Sequence, residues 1–315
     1  MELTETFAMN KYQKEYIFRI NKVLDYIEQN LEKPLSIETI SEVACFSPYH
    51  FHRIFSVFVG EPLKTYINRK RIEKAATLLY QNPDVPVSEI AYTLGYNSTS
   101  VFCRNFKQRF SITAENFRKD PEVLFSKNRQ SQSKNRQLNA FETEYVCPDQ
   151  LILKQTNMLN KKLEVKEMPA MNLVYTRHVG EFHLIGQAYG KLMQWAGPRG
   201  LLSDANLKTV TVYHDDPNVT EIDKVRQSAC ITVKEPVTTG GEFGNMQLPG
   251  GKYIVGSFEI APTEFEPAWN EVCLWMSESG YQPDDRYPYE LYHNNFEEHP
   301  EKKFIVDICV PVKPM

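Results

Sequence analysis

The segment Ser47–Gly60, with the sequence SPYHFHRIFSVFVG, carries polar side chains at a spacing that could contact an anionic partner. Ser47 and Pro48 make a favourable helix start, since an oxygen-bearing cap is followed by a residue suited to the first turn. A cation, hydrogen-bonding groups and an aromatic ring share one face of the predicted helix: Tyr49, His52, Arg53 and Ser56. The apolar stripe consists of Phe51, Ile54, Phe55 and Phe58. The pattern predicts a helix that docks through one side and offers the other to an anion.

The same pattern returns 51 residues later in Ser98–Ser111, STSVFCRNFKQRFS. There, Phe102-x-Arg104-x-Phe106 matches Phe51-x-Arg53-x-Phe55. The second polar face consists of Ser100, Cys103, Arg104 and Lys107. The apolar positions of the preceding helix, residues 37–44, also recur in residues 87–94. A helix, a short turn and a helix with a cationic outer face form a helix-turn-helix, and the chain contains this unit twice.

The segment Leu63–Leu79 is predicted to be a helical rod between the repeated units. Its length would be about 26 Å at about 1.5 Å per residue, which suits two recognition helices in major-groove segments about 34 Å apart. We therefore expect Arg53 and Arg104 to be the principal base-reading cations, because a guanidinium can donate two hydrogen bonds to guanine. Supporting contacts are expected from Tyr49, His52, Thr99, Ser100 and Cys103. The alternative is that both arginines clamp phosphates, without sequence preference.

Residues Tyr16–Lys119 resemble the DNA-binding domain of the AraC/XylS transcription regulators. The matching motifs are SPYHFHRIF, Gly60-x-Pro62-x-x-x-Tyr66-Ile67, Arg71-x-x-x-Ala75, Ile90-Ala91-x-x-x-Gly95-Tyr96 and Phe102-x-Arg104-x-Phe106-Lys107. Cys45 stands where the first turn often has glycine, and Ser111 and Ala114 replace the usual glycine and proline. The resemblance implies an all-α domain that binds double-stranded DNA through two helix-turn-helix motifs.

From Leu163 onward the hydrophobic period changes to alternation, which predicts strands. The strand candidates are Thr209–Tyr213, Ala229–Val233, Tyr253–Ile260, Tyr289–His293 and Phe304–Val310. Helices are predicted over Phe182–Trp195 and Glu264–Glu278. Because strand, helix and paired strands occur both before and after about Gly240, we expect an internally duplicated α+β domain.

Residues 162–313 resemble the GyrI-like effector-binding domain. The matching features are Tyr175-x-x-x-x-Gly180, Trp195, Tyr213-x-Asp215-Asp216-Pro217, Pro249-Gly250-Gly251-x-Tyr253, Ala268-Trp269, Ser279-Gly280, Glu290-x-Tyr292 and Pro311-Val312. The resemblance implies a small-molecule sensor. For Glu290 it implies a carboxylate that attracts an amphiphilic or aromatic cation through charge and cation–π contacts.

Strand alternation in this region puts Glu290 and Tyr292 on one face, and Tyr289 and Leu291 on the other. If the second face packs on helices, Glu290 points into the open, concave side of the sheet. The candidate walls of the effector pocket are Tyr292, Trp269 and Tyr213. The alternatives are that Glu290 faces solvent on its strand and that the aromatic residues belong to the ordinary core.

Charge is distributed unevenly, although the net charge of the 315 residues is only −4. Residues 47–119 contain 11 Lys and Arg against 5 Asp and Glu, whereas residues 161–315 contain 15 against 22. A basic region suits phosphates and an acidic one suits cations. The 6 cysteines are widely separated, which favours a reducing cytoplasm over a disulfide framework or zinc site. The sequence shows no signal core, membrane span, metal-ligand spacing or nucleotide-binding loop.

These features predict a multidomain protein with four segments. They are a polar N-terminal tail over 1–15, an all-α AraC-type DNA-binding domain over 16–120, a linker over 121–160 that is flexible around 126–139, and an internally duplicated α+β GyrI-like domain over 161–315. We expect a cytoplasmic, sequence-specific transcription regulator with no cofactor, metal or catalytic residue. Its expected partners are double-stranded promoter DNA and a small, cationic or aromatic effector, with RNA polymerase a candidate third and no membrane. The alternative is a GyrI-like small-molecule hydrolase, or a drug-sequestering protein, with an accessory DNA-binding module.

Overall fold

The computed structural model describes residues 9–119, 161–215, 220 and 222–315. Contacts divide these residues into two units. The first unit holds residues 9–18, 45–60 and the described residues from 161 onward, and the second holds residues 19–44 and 61–119. The segment 45–60 therefore groups with C-terminal residues rather than with its neighbours in the chain. The predicted linker over 121–160 lies outside the described residues.

The chain up to residue 119 is helical. Its helices are α1 Lys11–Gln29, α2 Ile37–Ala44, α3 Pro48–Val59, α4 Leu63–Gln81, α5 Val87–Thr93, α6 Thr99–Phe110 and α7 Ala114–Lys119. Asn10 caps α1, because its Oδ1 accepts hydrogen bonds of 2.9 Å from the backbone N–H groups of Tyr12 and Gln13. The Asn10 N–H donates in return to Oε1 of Gln13 at 3.0 Å. This capping box fixes the first turn, so the predicted tail is wrong for residues 11–15.

The second helix-turn-helix has a hydrophobic core of its own. Helices α4, α5, α6 and α7 enclose the buried residues Ile72, Ala75, Leu79, Ile90, Ala91, Leu94, Tyr96, Phe102, Phe106, Ala114 and Phe117. Fully burying a large apolar side chain contributes about 1.5–3 kcal/mol. This cluster therefore holds α6, the predicted second recognition helix, against α4 and α5.

The residues that depart from the AraC/XylS turn pattern adopt the backbone conformation of the glycines they replace. Cys45 has a φ of 56° and Ser111 has a φ of 61°. Gly95, in the second turn, has a φ of 75°. For a non-glycine residue such a conformation is unfavourable by about 1–3 kcal/mol. Ala114, in place of proline, begins α7. The turns thus keep their geometry despite the substitutions.

The C-terminal residues form an antiparallel sheet with two longer helices. The strands are β1 Lys161–Met168, β2 Met171–Val179, β3 Thr209–Tyr213, β4 Arg226–Val233, β5 Phe243–Leu248, β6 Gly251–Ile260, β7 Tyr281–Pro283, β8 Tyr289–Tyr292 and β9 Phe304–Pro314, and the helices are α8 Ile185–Ala196 and α9 Phe265–Ser279. The five strand candidates and both helices are present, β3 with the predicted ends and the others with shifted ends. Strands β5 and β7 are not predicted from the sequence, because Gly244 and Pro283 interrupt their patterns.

The predicted internal duplication is confirmed by the strand order, β1-β6-β9-β8-β3-β4-β2-β5. One half consists of β2, α8, β3 and β4, and the other of β6, α9, β8 and β9. In each half the first strand pairs with the last strand. The halves meet at the antiparallel pair of β3 and β8, where Thr211 lies opposite Glu290. Glu290 therefore occupies the junction between the two halves.

The helices cover the face of β8 opposite to the one expected from the sequence, which was the face of Tyr289 and Leu291. Tyr289 and Leu291 belong to a cluster whose buried members, among the described residues, all come from strands. Glu290 points to the opposite face, where it contacts Trp269 of α9. The expectation that Glu290 faces an open, concave side is therefore wrong. Strand alternation defines two faces, but it does not show which face the helices cover.

Gly256→Ala should destabilise the C-terminal domain, because α9 packs closely on β6 at this glycine. A Cβ here would lie 2.8 Å from Cγ2 of Val272 on α9 and 2.9 Å from Cδ2 of Leu163 on β1. We expect the free energy of unfolding, measured by urea denaturation, to fall by about 1–3 kcal/mol. Gly190→Ala is the control, since a Cβ on this exposed position of α8 meets nothing within 4 Å. Equal stability of the two variants would contradict the packing of α9.

Candidate functional site

Glu290 is a buried carboxylate whose two oxygens both accept hydrogen bonds. Its side chain is only 1% exposed. Nε1 of Trp269 donates to Oε1 at 2.7 Å, and the hydroxyl of Tyr292 donates to Oε2 at 2.6 Å. The hydroxyl of Tyr213 is a third polar neighbour. Because hydrogen bonds to a charged acceptor are stronger than neutral ones, these donors stabilise a carboxylate away from bulk water.

A chain of hydroxyl groups leads to the same carboxylate. Since the Tyr292 hydroxyl donates its proton to Glu290, its oxygen can accept from Oγ1 of Thr211 at 3.4 Å. Oγ1 of Thr211 can in turn accept from the hydroxyl of Tyr189, on α8, at 3.0 Å. Each proton in this chain then points toward Glu290. The surrounding hydroxyl groups are therefore arranged as donors to a negatively charged hydrogen-bond acceptor, the carboxylate of Glu290.

The titration of these groups follows from their burial. Burial raises the pKa of Glu290, while the hydrogen bonds from Tyr292 and Trp269 and the charge of Arg53 oppose the rise. Burial also raises the pKa of Tyr213 and of Tyr292, and the adjacent carboxylate adds to the effect. Both hydroxyls therefore remain protonated donors. A cation placed beside Glu290 would lower its pKa and favour the charged form.

This site is formed by residues at equivalent positions of the two halves. Residues 211–214, TVYH, match residues 290–293, ELYH, 79 positions further on. On the helices, Tyr189 and Trp269 are 80 positions apart, and each hydrogen-bonds to the first residue of the matching segment in its own half. This internal repeat is the signal that could have identified Thr211 and Tyr189, which sequence reasoning missed.

The guanidinium of Arg53, on α3, lies over the indole of Trp269, with its Cζ 4.2 Å from the ring centroid. The ring of Tyr213 meets the same indole edge-on, with centroids 5.5 Å apart and planes at 86°. A cation–π contact contributes from about 0.5 kcal/mol at an exposed site to about 2 kcal/mol when desolvated, and Arg53 is half-buried. Arg53, predicted to read bases, therefore lies within the predicted effector site.

Two more side chains of α3 bind backbone carbonyls of the same unit. The Tyr49 hydroxyl donates to the carbonyl oxygen of Tyr213 at 3.0 Å. Nε2 of His50 lies 3.0 Å from the carbonyl oxygen of Asp284. Burial lowers the pKa of His50 to about 4. The ring is therefore neutral near pH 7, and Nε2 must carry its proton because a carbonyl only accepts. His50 is also absent from the predicted site residues.

The side chains of α3 leave little space in the site. Tyr49, His50 and Arg53 close a cavity of about 20 Å³. Its other lining residues are Tyr213, Asp215, Trp269, Cys273, Pro288 and Val310. A single water molecule needs about 10–15 Å³ of such space. The cavity therefore admits water but no organic compound while α3 remains in place.

The equivalent face of α6 is accessible. Its predicted contact residues are exposed or half-buried, namely Ser100, Arg104, Thr99 and Cys103. By contrast, α3 has no exposed residue between Tyr49 and Val59, and His52 is only 2% exposed. The two predicted recognition faces thus differ in this conformation, and base reading by either face stays a prediction.

The structure brings the four predicted effector-site residues together: Glu290, Tyr292, Trp269 and Tyr213. Their part in binding a compound stays a prediction. Within the described residues, no group of three or more His, Cys, Asp or Glu is suited to a metal ion. In that same part of the chain, none of the helices has the length and apolar character that a bilayer crossing requires.

Two family profiles match the chain. One, described as a GyrI-like small molecule binding domain, matches residues 161–313, and the other, described as a helix-turn-helix domain, matches residues 40–120. The regulatory protein PocR of Salmonella typhimurium is 32% identical over 100 residues, which cover 32% of this chain and 33% of PocR. The chain thus spans only a third of that relative.

Two shorter relatives are matched over most of their length. The multiple antibiotic resistance protein MarA of Escherichia coli is 33% identical over 99 residues, which cover 31% of this chain and 77% of MarA. The probable transcription factor PqrA of Proteus vulgaris is 33% identical over 103 residues, which cover 32% of this chain and 84% of PqrA. The chain is therefore a member of the AraC family of DNA-binding transcription regulators, and it carries a C-terminal GyrI-like small-molecule-binding domain.

Proposed function

We propose that the GyrI-like domain senses a small cationic or aromatic compound at Glu290 and that this compound alters transcription. The observation that supports the proposal is the carboxylate itself, 1% exposed and bound by Trp269 and Tyr292. A buried charge is costly unless an opposite charge or hydrogen bonds compensate it. The hydrogen bonds already compensate part of this cost, and a cationic compound would add an opposite charge.

The aromatic side chains add a second source of selectivity. A delocalised or quaternary cation interacts with the face of Trp269 as well as with the carboxylate. A neutral compound of the same shape gains only the apolar contact. We therefore propose that charge, more than shape, distinguishes effectors from other compounds at this site.

We further propose that the domain binds its compound without converting it. Both oxygens of Glu290 already accept hydrogen bonds, so action as a nucleophile or base would require breaking this arrangement. As a promoter-binding regulator the protein would act in the cytoplasm, next to RNA polymerase. A hydrolase or drug-sequestering role is the alternative, and turnover of the bound probe would favour the hydrolase.

Glu290→Gln should selectively weaken binding of cations, because it removes the charge and keeps the shape. With benzyltrimethylammonium as the probe, we expect a loss of about 1.5–3 kcal/mol, or roughly ten- to a hundredfold in Kd, by isothermal titration calorimetry. Neopentylbenzene, the uncharged isostere, should bind both proteins alike.

Glu235→Gln is the matched control, since it removes the same charge from an exposed glutamate outside the site. It should leave the binding of both probes unchanged. Equal weakening of both probes by Glu290→Gln would indicate collapse of the site, and no weakening of either would place the effector elsewhere.

We propose that Arg53 and Arg104 each read one half-site, supported by Tyr49, His52, Thr99, Ser100 and Cys103. In each alanine variant the ratio of specific to non-specific DNA affinity should fall by roughly ten- to a hundredfold, since a bidentate arginine–guanine contact contributes about 1–3 kcal/mol. Binding to duplexes with single base changes should show relaxed preference in one half-site only. Uniform weakening with a shallower salt dependence would instead indicate phosphate contacts.

We also propose that the DNA-binding domain, residues 16–120, folds without the GyrI-like domain, residues 161–315. The separate core around Phe102 and Phe106 supports this division. Limited proteolysis should cut first between residues 127 and 138, and a fragment ending near Asp120 should still bind DNA. An unfolded fragment, judged by circular dichroism, would contradict the division.

A further inference from the structure

We propose that Arg53 is the resident cation of the effector site, so that a cationic effector must displace it and thereby release α3 for DNA. This inference rests on the proposed function, because it takes the Glu290 site as the effector site. Beyond the proposed function, it states how occupation of that site controls the position of α3. The effector competes with Arg53 for the Glu290 site, and its binding therefore favours DNA binding by α3 although the two ligands share no surface.

The guanidinium of Arg53 places a cation inside the Glu290 site. Arg53 stacks on the face of Trp269, at 4.2 Å from Cζ to the ring centroid. The edge of the same indole donates to Glu290 at 2.7 Å. A cation that stacks on an indole bound to a carboxylate is in the arrangement expected for a cationic effector. Arg53 therefore takes the place that such a compound would occupy.

The contact between α3 and the C-terminal domain extends beyond Arg53. Hydrogen bonds of 3.0 Å join Tyr49 to the carbonyl of Tyr213 and His50 to the carbonyl of Asp284. Tyr49 and His50 both lie about one turn before Arg53, on the same side of the helix. Because α3 has no exposed residue from Tyr49 to Val59, its recognition face cannot enter a major groove in this conformation. The contact is thus autoinhibitory.

The site beside Arg53 has no space for an organic compound. The cavity of about 20 Å³ beside Arg53 holds at most a water molecule. A compound with an aromatic ring can reach Trp269 and Glu290 only if Arg53 leaves. When Arg53 leaves, α3 loses its cation–π contact and becomes available to DNA. The sign of the coupling follows, since the effector should strengthen DNA binding and DNA should strengthen effector binding.

DNA binding without any ligand tests the restraint on α3. Trp269→Ala removes the ring under Arg53, and His50→Ala removes a neighbouring hydrogen bond without touching a predicted base-reading or effector residue. Both full-length variants should bind a duplex selected from a random pool about tenfold more tightly than wild type, at one fixed salt concentration. Fluorescence anisotropy gives the dissociation constants.

Trp195→Ala is the matched control, because Arg199 lies over Trp195 at 4.3 Å in the same domain but away from α3. It should bind DNA with wild-type affinity. Urea unfolding establishes that each variant is folded. If folded Trp269→Ala and His50→Ala proteins bind DNA no better than wild type, α3 is not restrained and the proposal is overturned.

Binding of benzyltrimethylammonium tests the competition. Arg53→Ala should bind this cation about tenfold more tightly than wild type, because the site no longer has a resident cation. Arg104→Ala, the equivalent substitution in α6, should leave its affinity unchanged. If Glu290→Gln weakens binding but Arg53→Ala does not tighten it, the inference fails while the proposed function stands. If Glu290→Gln has no effect, the proposed function fails and the competition fails with it, while the DNA measurement still decides whether α3 is restrained.

Discussion

The burial of one carboxylate, that of Glu290, determines the arrangement around it. Trp269 is oriented by its hydrogen bond to this group, and the orientation of the indole provides the face on which Arg53 stacks. The position of α3 depends in turn on that contact. Removing one partner of a buried charge destabilises a protein by more than an exposed ion pair stabilises it. The contacts from Glu290 through Trp269 to Arg53 are therefore sensitive to any substitution of Glu290.

Local patterns in the sequence were sufficient for most of the fold. Helical spacing and the repeat of Phe51-x-Arg53-x-Phe55 predicted both helix-turn-helix units, and alternation predicted the strand that carries Glu290. The face of that strand was misassigned, because alternation is symmetric and only the packing of α9 breaks the symmetry. The start of α1 was missed although Asn10 and Gln13 form a capping box, a signal that the sequence does contain.

The place of Arg53 could not be predicted from its neighbours in the chain. A guanidinium suits both the edge of guanine and the face of an indole, since both interactions use its planar, delocalised charge. Arg104 has the same phenylalanine two positions to either side and is exposed, whereas Arg53 is half-buried against Trp269. The difference arises from a contact with residues more than 200 positions away in the sequence, which no local pattern encodes.

Thr211 and Glu290 occupy equivalent positions of the two halves and lie opposite each other in paired strands. In a dimer of identical half-domains, an acid at this position would occur twice, on either side of a two-fold axis. Two carboxylates so close would repel, and one of them would take up a proton. Joining the halves in one chain permits an acid on one side and a hydroxyl on the other. Because both halves belong to one chain, the sheet can hold a single carboxylate where the two halves meet.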